Sequence, residues 1–164
     1  LRFNSNLKVG EDTLFTSEYL TYSNKCFIQQ KCYYYLVTRE TSTIFTYEKK
    51  PLFKLEGKIS QLQARIEFTQ RLKERLNIDI TKIWAGTVVM SVVEMAFMLS
   101  RKIPNYSYNK RYKLFLTYAH NEYTQKLVKN YKIKKQFSIK LIPFILVKLG
   151  MYPVLFFATL YFLA

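Results

Sequence analysis

Glu11 and Asp12 stand side by side after Gly10 and just before an apolar pattern. Leu14, Phe15, Tyr19 and Tyr22 recur at three- and four-residue spacing, which puts them on one face of a helix expected over residues 11–24. Asp12 then sits at or near the helix start. There, free backbone N–H groups and the positive end of the macrodipole favour a charged carboxylate. A carboxylate held ionised on a helix tip can act as general base toward a hydroxyl nucleophile. Asp is also among the preferred capping residues, so a helix cap is the plain alternative for Asp12.

The elements that would position this acid pair follow directly. A short strand is expected over Lys25 to Ile28, then a turn-like Gln-Gln-Lys, then a second strand over Cys32 to Thr38, with Arg39 and Ser42 just beyond it. The β-branched and aromatic content of Thr41 to Tyr47 allows a short third strand. Leu1 to Val9 reads as the tail of a strand or loop entering the acid pair, with Phe3 and Leu7 placed to pack beneath the helix.

The order Gly-Glu-Asp-x-x-Phe, amphipathic helix, strand, Tyr-x-Tyr, Arg-x-x-Ser resembles the C-terminal part of the catalytic domain of family 2 glycosyltransferases with the GT-A fold. Within that family it is most similar to bacterial enzymes that build surface polysaccharide. The resemblance covers residues 1–50 of the chain. It implies that Asp12 is the catalytic base and that Glu11 shapes the acceptor site. Arg39 and Ser42 would then lie near the donor phosphates or the acceptor, Arg39 offering a planar positive fork to phosphate. It also implies a nucleotide-sugar donor, a saccharide or lipid-linked acceptor, and a divalent metal, Mg or Mn. Family members carry a nucleotide-binding half before this point, with an Asp-x-Asp that holds metal and diphosphate. No Asp-x-Asp precedes Asp12, and the chain begins at Leu1. The expectation is therefore a fragment: the acceptor-side end of a catalytic domain, with most metal ligands outside it and no transfer activity by itself.

Composition points to mainly helical structure. Of 164 residues, 49% are hydrophobic and 17% aromatic, with four Gly and four Pro, so few tight turns are affordable. The formal net charge of +15 is unevenly spread. Residues 1–50 and 51–100 each carry seven basic and five acidic side chains, whereas residues 101–164 carry twelve basic and one acidic. A basic tail interleaved with Tyr and Phe could bind nucleic acid. Because it runs into an apolar segment, an anionic membrane surface is the better partner, at the cytoplasmic face of the cell membrane.

Lys49-Lys50-Pro51 marks a boundary, with a helical, basic, membrane-associated extension expected over residues 51–164. Ile59, Leu62, Ile66 and Leu72 to Leu76 follow the helix period, and Asn77 and Asp79 supply stop and start signals. Ile83 to Leu99 is almost unbroken apolar sequence. Glu94 within it would be costly in a bilayer, so it reads as the buried helix of a bundle. Ile103-Pro104-Asn105 ends that helix, and residues 106–131 read as one or two tyrosine-rich basic helices.

Lys126, Lys129, Lys132, Lys134, Lys135 and Lys140 alternate with apolar residues, as a membrane-interface segment would. Leu141 to Ala164 then carries a single charge, Lys148, which could snorkel toward headgroups. Phe144, Leu146, Leu149, Leu155, Phe156 and Phe157 are the expected apolar insertions.

Other chemistry is thin. Cys26 and Cys32 fit no zinc spacing and read as buried small hydrophobes, and His120 reads as a surface or packing residue. The Asn105-Tyr106-Ser107 sequon matters only in a eukaryotic secretory protein. The sequence as a whole is an α+β fragment, mainly α with a small β portion. Two other classes stay open: a non-catalytic basic helical module that binds membrane or nucleic acid, and a small membrane protein with spans at Ile83–Leu99 and Leu141–Ala164.

Overall fold

The computed structural model describes residues 7, 10–27, 30, 31, 50–133 and 139–161. Among them the secondary structure is helical, with one isolated bridge between Ile103 and Tyr106 and no sheet. The chain divides into two units, Leu1–Leu76 and Asn77–Ala164.

In the first unit, helix α1 (Glu11–Leu20) packs on the long helix α2 (Pro51–Leu76). Helix α1 is shorter than its sequence pattern suggested. It closes with turns in which the N–H groups of Thr21, Tyr22 and Ser23 donate to the carbonyls of Glu18, Tyr19 and Leu20. Each bond there spans three residues, the tightening that ends many helices.

The residues placed in the first expected strand do not form one as far as they are described, since Lys25 to Phe27 are irregular and exposed. The remaining strand positions lie outside the described residues. Cys26 is exposed and free rather than buried, because the strand pair that would have covered it is not formed at Lys25–Phe27.

Pro51 opens α2, a position where its missing N–H costs nothing. The expected face is present in Leu62, Ile66 and Leu72, but Leu55, Ala64 and Phe68 are buried too. The apolar arc therefore spans more than half of the helix circumference, while Leu76 is exposed. Asn77 ends α2 in the left-handed region, φ 55°, which Asn tolerates better than most side chains.

The second unit is built around α3 (Thr81–Ser100), which packs against each of α4 (Tyr108–Ala119), α5 (Glu122–Val128), α6 (Ile142–Lys148) and α7 (Tyr152–Tyr161). Ala85, Val88, Val89, Val92, Met95, Ala96 and Leu99 are completely buried. Alone among the described helices, α3 has the length and composition of a membrane span. Its neighbours make it the core of a bundle, and Glu94 faces outward.

The turn after α3 follows from its sequence. Tyr106 N–H donates to Ile103 O at 3.2 Å, with Pro104 and left-handed Asn105 (φ 65°) at the two central positions. That is the pattern of a type II turn. Ser107 caps α4 by accepting from Lys110 N–H, and Asn121 caps α5 by accepting from Tyr123 N–H.

The apolar tail does not form one continuous helix. A 3-10 turn (Ile139–Leu141) leads into α6, and Gly150 at φ 70° reverses the chain into α7. Gly150 N–H reaches Val147 O at 3.1 Å, and Met151 N–H reaches Leu146 O at 2.8 Å. These are the paired bonds of a Schellman motif. Among the described residues the stretch expected as a second span is thus two short helices on either side of Gly150 and not one continuous helix.

Tyr152, Leu155, Phe156 and Thr159 of α7 are buried in the bundle. Leu155 and Phe156 are therefore core residues and not the membrane insertions they resemble in sequence. Lys148 does not snorkel. Its Nζ donates to Lys129 O at 2.7 Å and Val128 O at 3.2 Å, closing the C-terminal end of α5.

Candidate functional site

Gly10 precedes α1 in the left-handed conformation, φ 83°, and occupies the N-cap position. A Cβ there would come within 2.5 Å of the Gln61 side-chain nitrogen, which can swing aside, so it is the left-handed backbone that favours Gly. Glu11 and Asp12 form the first turn. Asp12 is exposed, and its Oδ1 accepts from Thr13 N–H at 2.6 Å and Thr13 Oγ at 3.3 Å. Asp12 is therefore inside the helix, one residue past its first position, and is not the N-cap. One carboxylate oxygen is held by the adjoining residue. Arg39 and Ser42 lie outside the described residues.

The face of α1 that meets α2 carries a second polar group, one that sequence reasoning missed. Glu18 pairs with Arg71, whose guanidinium is half exposed. Arg75 lies over the Tyr22 ring at 3.8 Å and donates to Thr21 Oγ at 2.9 Å. With Phe68 and Leu72 these residues line an open cleft of roughly 130 Å³. Arg71 and Arg75 fall four apart on one helix, and Glu18 in α1 and Tyr22 in the turn that closes it fall four apart in sequence. The matched spacing was visible in the sequence, but nothing local says that the two helices face each other. Solvent on Arg71 keeps the ion pair weak.

No group of three or more His, Cys, Asp or Glu that could hold a metal occurs among the described residues. His120 caps the end of α4 through its backbone and sets its ring edge-on to Tyr152 at 5.1 Å.

In the second unit, polar side chains serve the bundle. Arg111 is buried, and its Nη1 donates to Leu99 O at 2.9 Å, to Ser100 O at 2.7 Å and to Arg101 O. It closes the C-terminal end of α3, where orphan carbonyls and the negative end of the macrodipole attract a cation. Ser91 Oγ and Tyr118 OH meet at 2.9 Å between α3 and α4. Tyr152 OH lies 2.6 Å from Gln125 Nε2, which also donates to Ala119 O. Burial pushes the Tyr152 hydroxyl above its usual pKa of 10.0, and the bond from Gln125 opposes that shift.

Searches among known protein families, curated proteins and solved structures found no match to this chain.

Proposed function

We propose that the first fifty residues are the acceptor-side end of an inverting family 2-like glycosyltransferase of the GT-A class, acting in cell-surface polysaccharide synthesis. The observation that carries this reading is Asp12, an exposed carboxylate in the first turn of α1 directly after left-handed Gly10, with the N-cap position taken by Gly10. An exposed first-turn carboxylate with only one oxygen held, by Thr13, can still take a proton.

In this reaction a hydroxyl of a saccharide or lipid-linked acceptor attacks the anomeric carbon of a nucleotide-sugar. Its proton passes to Asp12 as the new carbon–oxygen bond forms. The bond from the anomeric carbon to the phosphate oxygen breaks, and the nucleoside diphosphate leaves with the electron pair. Glu11 shapes the acceptor side, and Arg39 and Ser42 face donor phosphate or acceptor. Donor binding and the divalent metal belong to a nucleotide-binding segment with an Asp-x-Asp, which this reading requires N-terminal to residue 1.

The test is Asp12→Asn in the protein that includes that segment. Acceptor-dependent release of nucleoside diphosphate should fall at least a hundredfold, the low end of what a general base contributes. Turnover within a few-fold of wild type would reduce Asp12 to a structural residue.

A further inference from the structure

Helix α7 is apolar on the side that faces solvent as well as on the side that faces the bundle. Its buried residues are Tyr152, Leu155, Phe156 and Thr159, and its exposed ones are Pro153, Val154 and Phe157. A helix on a water-facing surface ordinarily carries charge on its outer side. Helices α4 and α5 do so, with Lys110, Lys113, Glu122 and Lys126 all exposed. From Leu149 to Thr159 there is no charged residue at all.

The apolar surface extends past α7. Leu149 and Met151, on either side of the Gly150 reversal, are 65% and 41% exposed, and Val154 and Phe157 are each 47% exposed. Ile139 and Ile142 at the start of the hairpin are exposed as well. Tyr108 and Tyr112 of α4 border it, their rings 6.3 and 6.1 Å from that of Phe157.

Exposed lysines lie beside this surface. The bonds from Lys148 to Val128 O and Lys129 O bring the C-terminal ends of α5 and α6 together. The exposed residues Lys126, Lys129 and Lys132 therefore lie at the same end of the bundle as the Leu149–Met151 reversal. Charge complementarity decides among occupants. A second copy would bring together two surfaces drawn from a segment with twelve basic and one acidic residue. A nucleic acid would match the lysines and leave the apolar side chains in water. An anionic bilayer satisfies both: headgroups meet the lysines, and the acyl boundary takes the apolar residues. Tyrosines at the edge suit headgroup depth, where one end of the ring is wet.

We propose that the outer face of the α6–α7 hairpin docks on an anionic lipid bilayer. Leu149, Met151, Val154 and Phe157 enter the acyl boundary while Lys126, Lys129 and Lys132 meet the headgroups. The bundle stays folded, and α3 does not leave its core to cross the membrane. This surface is independent of the role given to Asp12, so either can fail alone.

The experiment is flotation of the whole chain with phosphatidylcholine vesicles, with and without phosphatidylglycerol, at low and high salt. The chain should float with the anionic vesicles at low salt and partly dissociate at high salt. Lys126→Gln, Lys129→Gln and Lys132→Gln should each lower partitioning roughly fivefold. Leu149→Ser and Phe157→Ser should each lower it about tenfold in a way that salt does not alter. Circular dichroism should show an unchanged helical bundle for both serine variants, because the replaced side chains are exposed. Failure of the wild-type chain to float at low salt would overturn the proposal. So would serine variants that float like wild type, or a vesicle-free dimer in light scattering that Phe157→Ser dissolves.

Discussion

Single side chains close the second unit where its backbone would otherwise be left unpaired. Arg111 is the strongest instance, a buried guanidinium spent on three carbonyls at the end of α3. Replacing it with Met keeps much of the apolar stem but leaves those carbonyls without their donor. Arg111→Met should destabilise the protein by about 3 kcal/mol, read from the midpoint of a urea unfolding curve. An unchanged midpoint would mean that water reaches those carbonyls freely. In sequence Arg111 looked like one more charge in a basic tail. Its role depends on α4 folding back along α3, and no residue near position 111 records that. Lys148 misled in the same way, since a lone Lys in an apolar stretch suggests snorkelling and the carbonyls it meets are some twenty residues away. Asp12 was easier to place, because its position rests on the adjacent helix pattern.

At the scale of elements, helix ends were legible and helix partners were not. Pro51, Asn77 and the Pro104-Asn105 turn act where the structure uses them, since turn chemistry is local, whereas the Gly150 reversal was not read from the apolar tail. The Gly150 reversal can be tested by substitution. The space around it is open, so Gly150→Ala meets no clash and should cost only the left-handed backbone term, about 1 kcal/mol in thermal or chemical unfolding. A neutral result would show that the reversal is not held at positive φ. The apolar tail shows what periodicity leaves out. Leu149 to Ala164 reads as one hydrophobic run, yet one face of α7 enters the bundle and the other faces outward. Hydropathy measures how apolar a segment is and not which element covers it. The strand expected at Lys25–Ile28 is not formed over its described residues, Lys25–Phe27, for a related reason, because β-propensity expresses packing on neighbours more than a preference of the backbone.

Across the whole molecule, the proposed transfer chemistry lies in the first unit, and the second offers a test of stability. The second unit gives a pH signature through Tyr152. Its folded pKa is raised by burial, so below pH 10.0 the group is protonated in both states and adds no pH dependence. Above that, the unfolded chain releases the proton while the folded state keeps it, and stability falls as pH rises toward the folded pKa. Tyr152→Phe lacks this loss, so the stability difference between wild type and variant should shift in favour of the variant above pH 10.0. Parallel alkaline unfolding curves for the two would contradict it. Function is proposed for the first unit, where α1 presents Glu11 and Asp12 at its first turn. The measurement that tests this most directly separates donor binding from turnover in Asp12→Asn, in the protein that includes the donor-binding segment. A lost base predicts an unchanged dissociation constant for the nucleotide-sugar, an unchanged melting temperature, and acceptor-dependent turnover at least a hundredfold below wild type. Turnover within a few-fold of wild type, with donor binding and melting intact, would contradict the assignment of Asp12 and the reaction built on it.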